Sequence, residues 1–162
     1  GQVGRLAVKG PTGCRYLADE RQKTYVCDGW NLPGDAAYLD EDGYIWYEAR
    51  TDDMIVSSGY NIGAPEVENA LLKHPAVSEC AVIGKQHEQR GTIIKAFVVC
   101  ADNSNLDPAL AVELQNHVKN TIAPYKYPRE VEFVNELPKT GTGKIQRFRL
   151  REMAQKEGAH NG

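Results

Sequence analysis

The stretch Asn135-Glu136-Leu137-Pro138-Lys139-Thr140-Gly141-Thr142-Gly143-Lys144-Ile145-Gln146-Arg147 decides how this chain is read. Gly141 and Gly143 leave the loop backbone free to take conformations closed to other residues. Lys144 then closes the loop with a primary amine, a group suited to phosphate and carboxylate oxygens. The same composition is ordinary in an exposed hairpin, so on this stretch alone both readings stand. A Walker A loop is excluded, because the position that needs its first glycine is Pro138.

Outward from the loop, residues 129–134 alternate Val131 and Phe133 against Glu130 and Glu132 and predict a half-buried strand. Residues 148–156 predict a short terminal helix. Upstream, the β-branched runs 78–84 and 92–100 predict two strands with a loop over 85–91. Asp107-Pro108 reads as a helix start, with Asp107 as the cap and Leu110, Leu114 and Val118 at helical spacing; Pro124 closes that helix. Pro65 opens another, in which Val67, Ala70 and Leu71 share a face. Residues 54–56 and 60–62 are brief strands.

The first third reads differently. Residues 5–8, 35–39 and 44–47 are short alternating runs parted by turn clusters such as Asp40-Glu41-Asp42-Gly43, which predicts an all-β antiparallel segment. Charge replaces the alternation at 50–53, marking a boundary. The expected fold class is α+β.

Bulk properties narrow the function. A chain of 162 residues buries about 70% of its unfolded surface, enough for one domain or two small ones. Net charge of -3 gives no reason to expect nucleic acid. No apolar run approaches the roughly 20 residues that span a bilayer, so the expectation is a soluble, cytoplasmic protein with no membrane partner. Cys14, Cys27, Cys80 and Cys100 lack C-x-x-C pairing and are expected as reduced core residues. His74, His87, His117 and His160 show no ligand spacing, so no metal site is expected. The chain opens at Gly1 as though entering an existing sheet, which suggests a fragment.

Read together, Gly29-Trp30-Asn31-Leu32-Pro33-Gly34-Asp35, Ala49-Arg50-Thr51-Asp52-Asp53 and the loop ending in Lys144 resemble the later core motifs of the adenylate-forming superfamily. Ser58-Gly59-Tyr60-Asn61-Ile62, Glu66-Val67-Glu68 and Ala123-Pro124-Tyr125-Lys126-Tyr127-Pro128-Arg129 narrow the resemblance to acyl-CoA synthetases, nearest the benzoate, 2-aminobenzoate and medium-chain acid:CoA ligases. The resemblance covers nearly the whole chain. It implies a small mixed-sheet C-terminal lid domain with flanking helices over 52–162. Residues 1–51 would be the last antiparallel β segment of the large domain.

The same resemblance implies ATP and coenzyme A as co-substrates of a carboxylic acid, with Mg2+ arriving on ATP and not ligated by this chain. Lys144 corresponds to the lysine that bridges the acyl carboxylate and the α-phosphate, and acylation there would remove its charge. Asp35 corresponds to the carboxylate that holds the ribose, Arg50 to an arginine reaching the nucleotide, and Asp52 to the hinge. Ser58, Gly59, Tyr60, Arg90, Lys119, Tyr127, Pro128 and Arg129 correspond to a coenzyme A surface. Pro33 stands where many members have Thr, and Asn61 where many have Arg; the Tyr-Asn-Ile spelling leans toward an aromatic acid. The phosphate-gripping loop, the adenine motif and the acyl pocket belong to the N-terminal large domain, absent from these residues. Two alternatives remain: an adenylation domain loading a carrier protein, and a non-catalytic module binding coenzyme A or nucleotide.

Overall fold

The computed structural model describes residues 1–11, 20–101 and 108–160. Its contacts divide the chain into two units, Gly1–Met54 and Ile55–Gly162.

In the first unit, strands β1 (Gly4–Arg5), β4 (Asp35–Leu39) and β5 (Ile45–Arg50) form an antiparallel sheet in the order β1-β4-β5. Strands β2 (Val26–Cys27) and β3 (Trp30–Asn31) form a small antiparallel ribbon. Asp28 and Gly29 both sit at positive φ between β2 and β3, the backbone that a two-residue hairpin needs to match strand twist. The β4–β5 turn is organised by Asp40. Its Oδ1 accepts the Tyr44 and Asp42 N–H groups at 2.8 and 3.1 Å, and its Oδ2 accepts Trp46 Nε1–H at 2.6 Å.

Contrary to the all-β expectation, Arg21–Tyr25 forms a short helix, α1. It has no apolar stripe; a Lys23–Glu20 pair one turn apart accompanies it.

The second unit begins within the first strand of the hairpin β6 (Met54–Ser57) and β7 (Tyr60–Gly63), followed by α2 (Ala64–Leu71). Strands β8 (Val77–His87), β9 (Gly91–Cys100) and β10 (Glu130–Phe133) form a mixed sheet in the order β10-β9-β8; β9 pairs antiparallel with β8 and parallel with β10. Helix α3 (Pro108–Thr121) and a 3-10 turn (Pro124–Lys126) link β9 to β10, and α4 (Arg147–His160) is the last described element. The α+β class and mixed sheet are as expected. Asp107, the expected cap, lies outside the described residues.

Strand periodicity explains the layering. Cys80, Val82, Ile94, Ala96 and Val98 face one way and pack with Val67, Ala70 and Leu71 of α2 and Leu114 and Val118 of α3. The alternate residues Ala81, Ile83 and Phe97 pack with Leu137, Leu150 and Ala154, the last two on α4. The sheet is thus covered on both faces, which is why β8 and β9 read as nearly continuous apolar runs.

The two strands run further than their apolar stretches. Lys85 pairs with Ile93, Gln86 with Thr92 and His87 with Gly91, so the expected loop over 85–91 shrinks to residues 88–90. Backbone ladders continue whatever the side-chain polarity. Cys80 and Cys100 are buried thiols, but Cys27 is exposed on the two-residue strand β2; Cys14 lies outside the described residues. Among the described residues no helix is long and apolar enough to cross a membrane.

Candidate functional site

Asp35 opens β4 and Arg50 ends β5, and the antiparallel register sets them opposite each other. Arg50 Nη1 donates to Asp35 Oδ1 at 2.9 Å and to the Pro33 carbonyl at 2.8 Å. Gly34 turns the chain there at φ +84, and a Cβ on it would lie 3.0 Å from Arg50 Nη2. Only glycine fits both the backbone and the neighbouring guanidinium. Thr51 closes the corner, its N–H and hydroxyl both donating to the Gly34 carbonyl at 2.8 Å.

Arg50, Gly34, Pro33, Thr51 and Asp52 line a hollow of about 310 Å³ with Arg5, Leu6, Thr24, Tyr25 and Leu32. Among the described residues Asp35 Oδ2 accepts no hydrogen bond, leaving an acceptor for a vicinal diol. Asp52 sits in the 3-10 turn Thr51–Asp53, flanked by extended backbone at Arg50 and Met54.

In the second unit the lysine loop is a closed hairpin. Lys139 and Ile145 form an antiparallel bridge, Thr140 N–H donates to the Lys144 carbonyl at 2.8 Å, and Gly143 N–H donates to the Thr140 carbonyl at 2.9 Å. The Thr140 hydroxyl oxygen accepts Lys144 N–H at 3.1 Å and lies 2.9 Å from the Thr142 hydroxyl. Gly143 takes the left-handed conformation at φ +82; Gly141 does not, so only one of the two glycines uses its freedom. The stretch is thus a surface hairpin. Lys144 is exposed, and among the described residues its Nζ has no partner.

Four of the residues expected at a coenzyme A surface come together. Arg90, Lys119, Tyr127 and Arg129 line a mostly polar hollow of about 300 Å³. Tyr127 organises it: Lys119 Nζ lies 4.2 Å from its ring centroid, Arg129 Cζ lies 5.0 Å from it, and Arg129 Nη1 donates to its hydroxyl at 2.7 Å. Arg90 stands on the β8–β9 turn, its side chain unpartnered among the described residues. Pro128 is fully buried beside them.

His87, Ile93, Gln115 and Glu130 also line this hollow, and sequence reasoning missed them. Gln115 Nε2 donates to the Arg129 carbonyl at 3.1 Å, and Glu130 is neutralised by Lys85 at 2.7 Å, so the cations dominate. Such a hollow can take a phosphate-bearing ligand.

Ser58, Gly59 and Tyr60 do not line the hollow. Ser58 and Gly59 make the β6–β7 turn at φ +52 and +82, and Tyr60 stacks on Tyr125 with centroids 4.2 Å apart. Beside them Lys126 Nζ reaches both carboxylate oxygens of Glu66 at 2.6 Å, tying the 3-10 turn to α2. Lys144 does not line the hollow around Tyr127.

Glu68 and Arg147 were also missed. They form a largely buried ion pair beside Cys80, whose thiol is pushed up to about 12 by burial and by the Glu68 charge.

Residues 66–144 match the family model for the AMP-binding enzyme C-terminal domain. The chain belongs to the AMP-binding enzymes. It carries their C-terminal domain, with the match ending at Lys144. A Bacillus subtilis relative named as an uncharacterized acyl–CoA ligase, YtcI, is 52% identical over 155 residues, 93% of this chain and 29% of that protein. Among solved structures, an anthranilate CoA ligase, AuaEII, in complex with anthranoyl-AMP superposes with a TM-score of 0.84 at 39% identity, covering 98% of this chain and 31% of that one. A benzoate CoA ligase from Burkholderia xenovorans LB400 gives 0.76 at 40% identity, covering 93% and 30%. The chain thus spans about three-tenths of the length of the proteins it resembles.

Proposed function

We propose that the chain serves an ATP-dependent carboxylic acid:CoA ligase, making an acyl-adenylate and then an acyl-CoA thioester, with an aryl or medium-chain acid as substrate. One observation carries the proposal: a braced hairpin holds Lys144 with a free, exposed amine at the end of the family match. In adenylation the amine faces the charge that grows on the α-phosphoryl oxygens as the carboxylate attacks. Asp35 accepts the ribose hydroxyls through its open oxygen while Arg50 fixes the carboxylate and offers its fork to the nucleotide. Mg2+ accompanies ATP in this scheme. Among the described residues no His, Cys, Asp and Glu cluster is built to hold a metal.

In the second half-reaction Arg90, Lys119 and Arg129 receive the phosphates of coenzyme A around Tyr127, and Ser58, Gly59 and Tyr60, outside that hollow, border the pantetheine. Because Lys144 lines no part of that hollow, the two steps call for two poses of the lid. We assign residues 1–51 to the large domain, 52–162 to the lid and the hinge to Asp52. The short 3-10 turn at that point and the adjacent division of contacts support this. The partners are the acid, ATP, coenzyme A and an N-terminal large domain, in a soluble, cytoplasmic enzyme. The aromatic lean of the Tyr60-Asn61-Ile62 spelling is supported by the anthranilate and benzoate ligases among the similar structures.

The test is acid-dependent pyrophosphate release by the full-length protein with benzoate, 2-aminobenzoate and medium-chain acids. Lys144→Ala is expected to lower adenylation about a hundredfold or more, and thioester formation from supplied acyl-adenylate far less. Unchanged ligation in Lys144→Ala would sink the assignment of that lysine. Acyl-adenylate without free acyl-CoA would instead point to carrier-protein loading.

A further inference from the structure

Glu68 and Arg147 meet across 79 positions of sequence as a bidentate pair. Arg147 Nη2 donates to Glu68 Oε1 and Oε2 at 2.8 and 2.7 Å, and Nε donates to Oε1 at 3.3 Å. Oε1 also accepts the Val82 N–H at 2.8 Å. The side chains are only 11% and 20% exposed. One carboxylate therefore joins α2, the middle of β8 and the first residue of α4.

Arg147 follows directly on the hairpin that carries Lys144. Gln146 N–H donates to the Pro138 carbonyl at 2.8 Å, closing the hairpin one residue before it. At the other root Lys139 pairs with Glu79 of β8 at 2.7 Å. Both roots are clamped to the sheet, and the α4 root has the buried clamp.

Stability alone does not account for such a pair, since apolar residues of similar volume hold a helix as well or better. A bidentate guanidinium does what they would not: it fixes the plane and direction of the chain that bears it. We infer that the Glu68–Arg147 pair is a positioning device for Lys144, setting the direction in which the hairpin presents the amine. The inference rests on the ligase reading. Neither residue is assigned a contact with substrate; both act through Lys144.

The test measures the two half-reactions separately in the full-length protein: adenylation by pyrophosphate exchange, and thioester formation from supplied acyl-adenylate. Arg147→Ala, and Arg147→Lys, which keeps the charge but loses the fork, are expected to lower the adenylation kcat roughly 10- to 100-fold, as a small misplacement of a catalytic group does. Thioester formation should stay within about twofold of wild type. In a Lys144→Ala background, adding Arg147→Ala should cost adenylation less than about twofold, because the group it positions is gone. Equal losses in both half-reactions, or a full additional loss without Lys144, would make the pair a brace of the fold and overturn the proposal. Should Arg147→Ala fail to fold, Arg147→Lys carries the same comparison. A wild-type protein that forms no acyl-adenylate refutes the ligase reading itself, and the proposal with it.

Discussion

Replacing Gly143 by alanine isolates backbone strain from every other effect. Its φ is +82, and a Cβ built on it meets nothing within 4 Å, so no clash contributes. The cost is that of placing an L-residue in the left-handed region, about 1–2 kcal/mol. Restricting the unfolded chain returns about 0.4–1 kcal/mol, leaving a net loss of about 1 kcal/mol. Gly141 is the control. Its surroundings are equally open but its φ is not positive, so Gly141→Ala keeps the favourable part alone. The two variants should differ by about 1–2 kcal/mol, read as about 4 °C or more between their thermal midpoints for a unit of this size. Circular dichroism melts of the two variants against the parent give the comparison. In the full-length protein, Gly143→Ala should also lower adenylation, because relieving the strain breaks the 2.9 and 3.1 Å bonds that shape the loop. Equal melting points, or greater damage from Gly141→Ala, would refute the backbone assigned to the hairpin.

Gly34→Ala should cost about 1–2 kcal/mol in backbone strain, push Arg50 off Asp35 and weaken nucleotide binding; unchanged ATP affinity by calorimetry would contradict the role given to that corner. Tyr127→Leu removes the ring beneath Lys119 and Arg129 and should raise the KM for coenzyme A about fivefold or more, with the KM for ATP unmoved. Cys27 should be alkylated at about pH 8 while Cys80 is not, since burial first and Glu68 second hold the Cys80 thiol up near 12; a peptide map showing equal labelling would refute this. The Trp46 N–H above all, helped by the Tyr44, Asp42 and Gly43 amides, holds the Asp40 carboxyl below 3.8. A depressed carboxyl stabilises its hairpin above 3.8, and the contribution disappears as pH falls through the lower folded value. Trp46 fluorescence in a Trp30→Phe background should therefore change only in strong acid.

Much of the second unit was legible because its periodicities are strong. The apolar runs of β8 and β9 and the spacing of Leu110, Leu114 and Val118 each admit one element. Asp35, Arg50 and Lys144 were singled out by their neighbours in sequence, and the structure pairs the first two. The Glu68–Arg147 pair was not: Glu68 is no part of the apolar face read from Val67, Ala70 and Leu71, and its partner lies 79 positions away in sequence. Gln115 and His87 were missed for a related reason, since each enters the polar hollow through its place on α3 or β8. Short α1 carries no apolar periodicity, and so left no trace in the pattern.

The central strand β9 has two neighbours that reach it at different times. Its antiparallel partner β8 is joined to it by residues 88–90, and its parallel partner β10 arrives only after residues 101–129. Closing a connection roughly ten times longer costs about 2 kcal/mol more in chain entropy. During synthesis the β8–β9 hairpin can therefore form first, leaving one edge of β9 open until α3 and β10 have emerged. That open edge is a template for pairing with another chain, and the interval before β10 docks is when this unit is most exposed to aggregation.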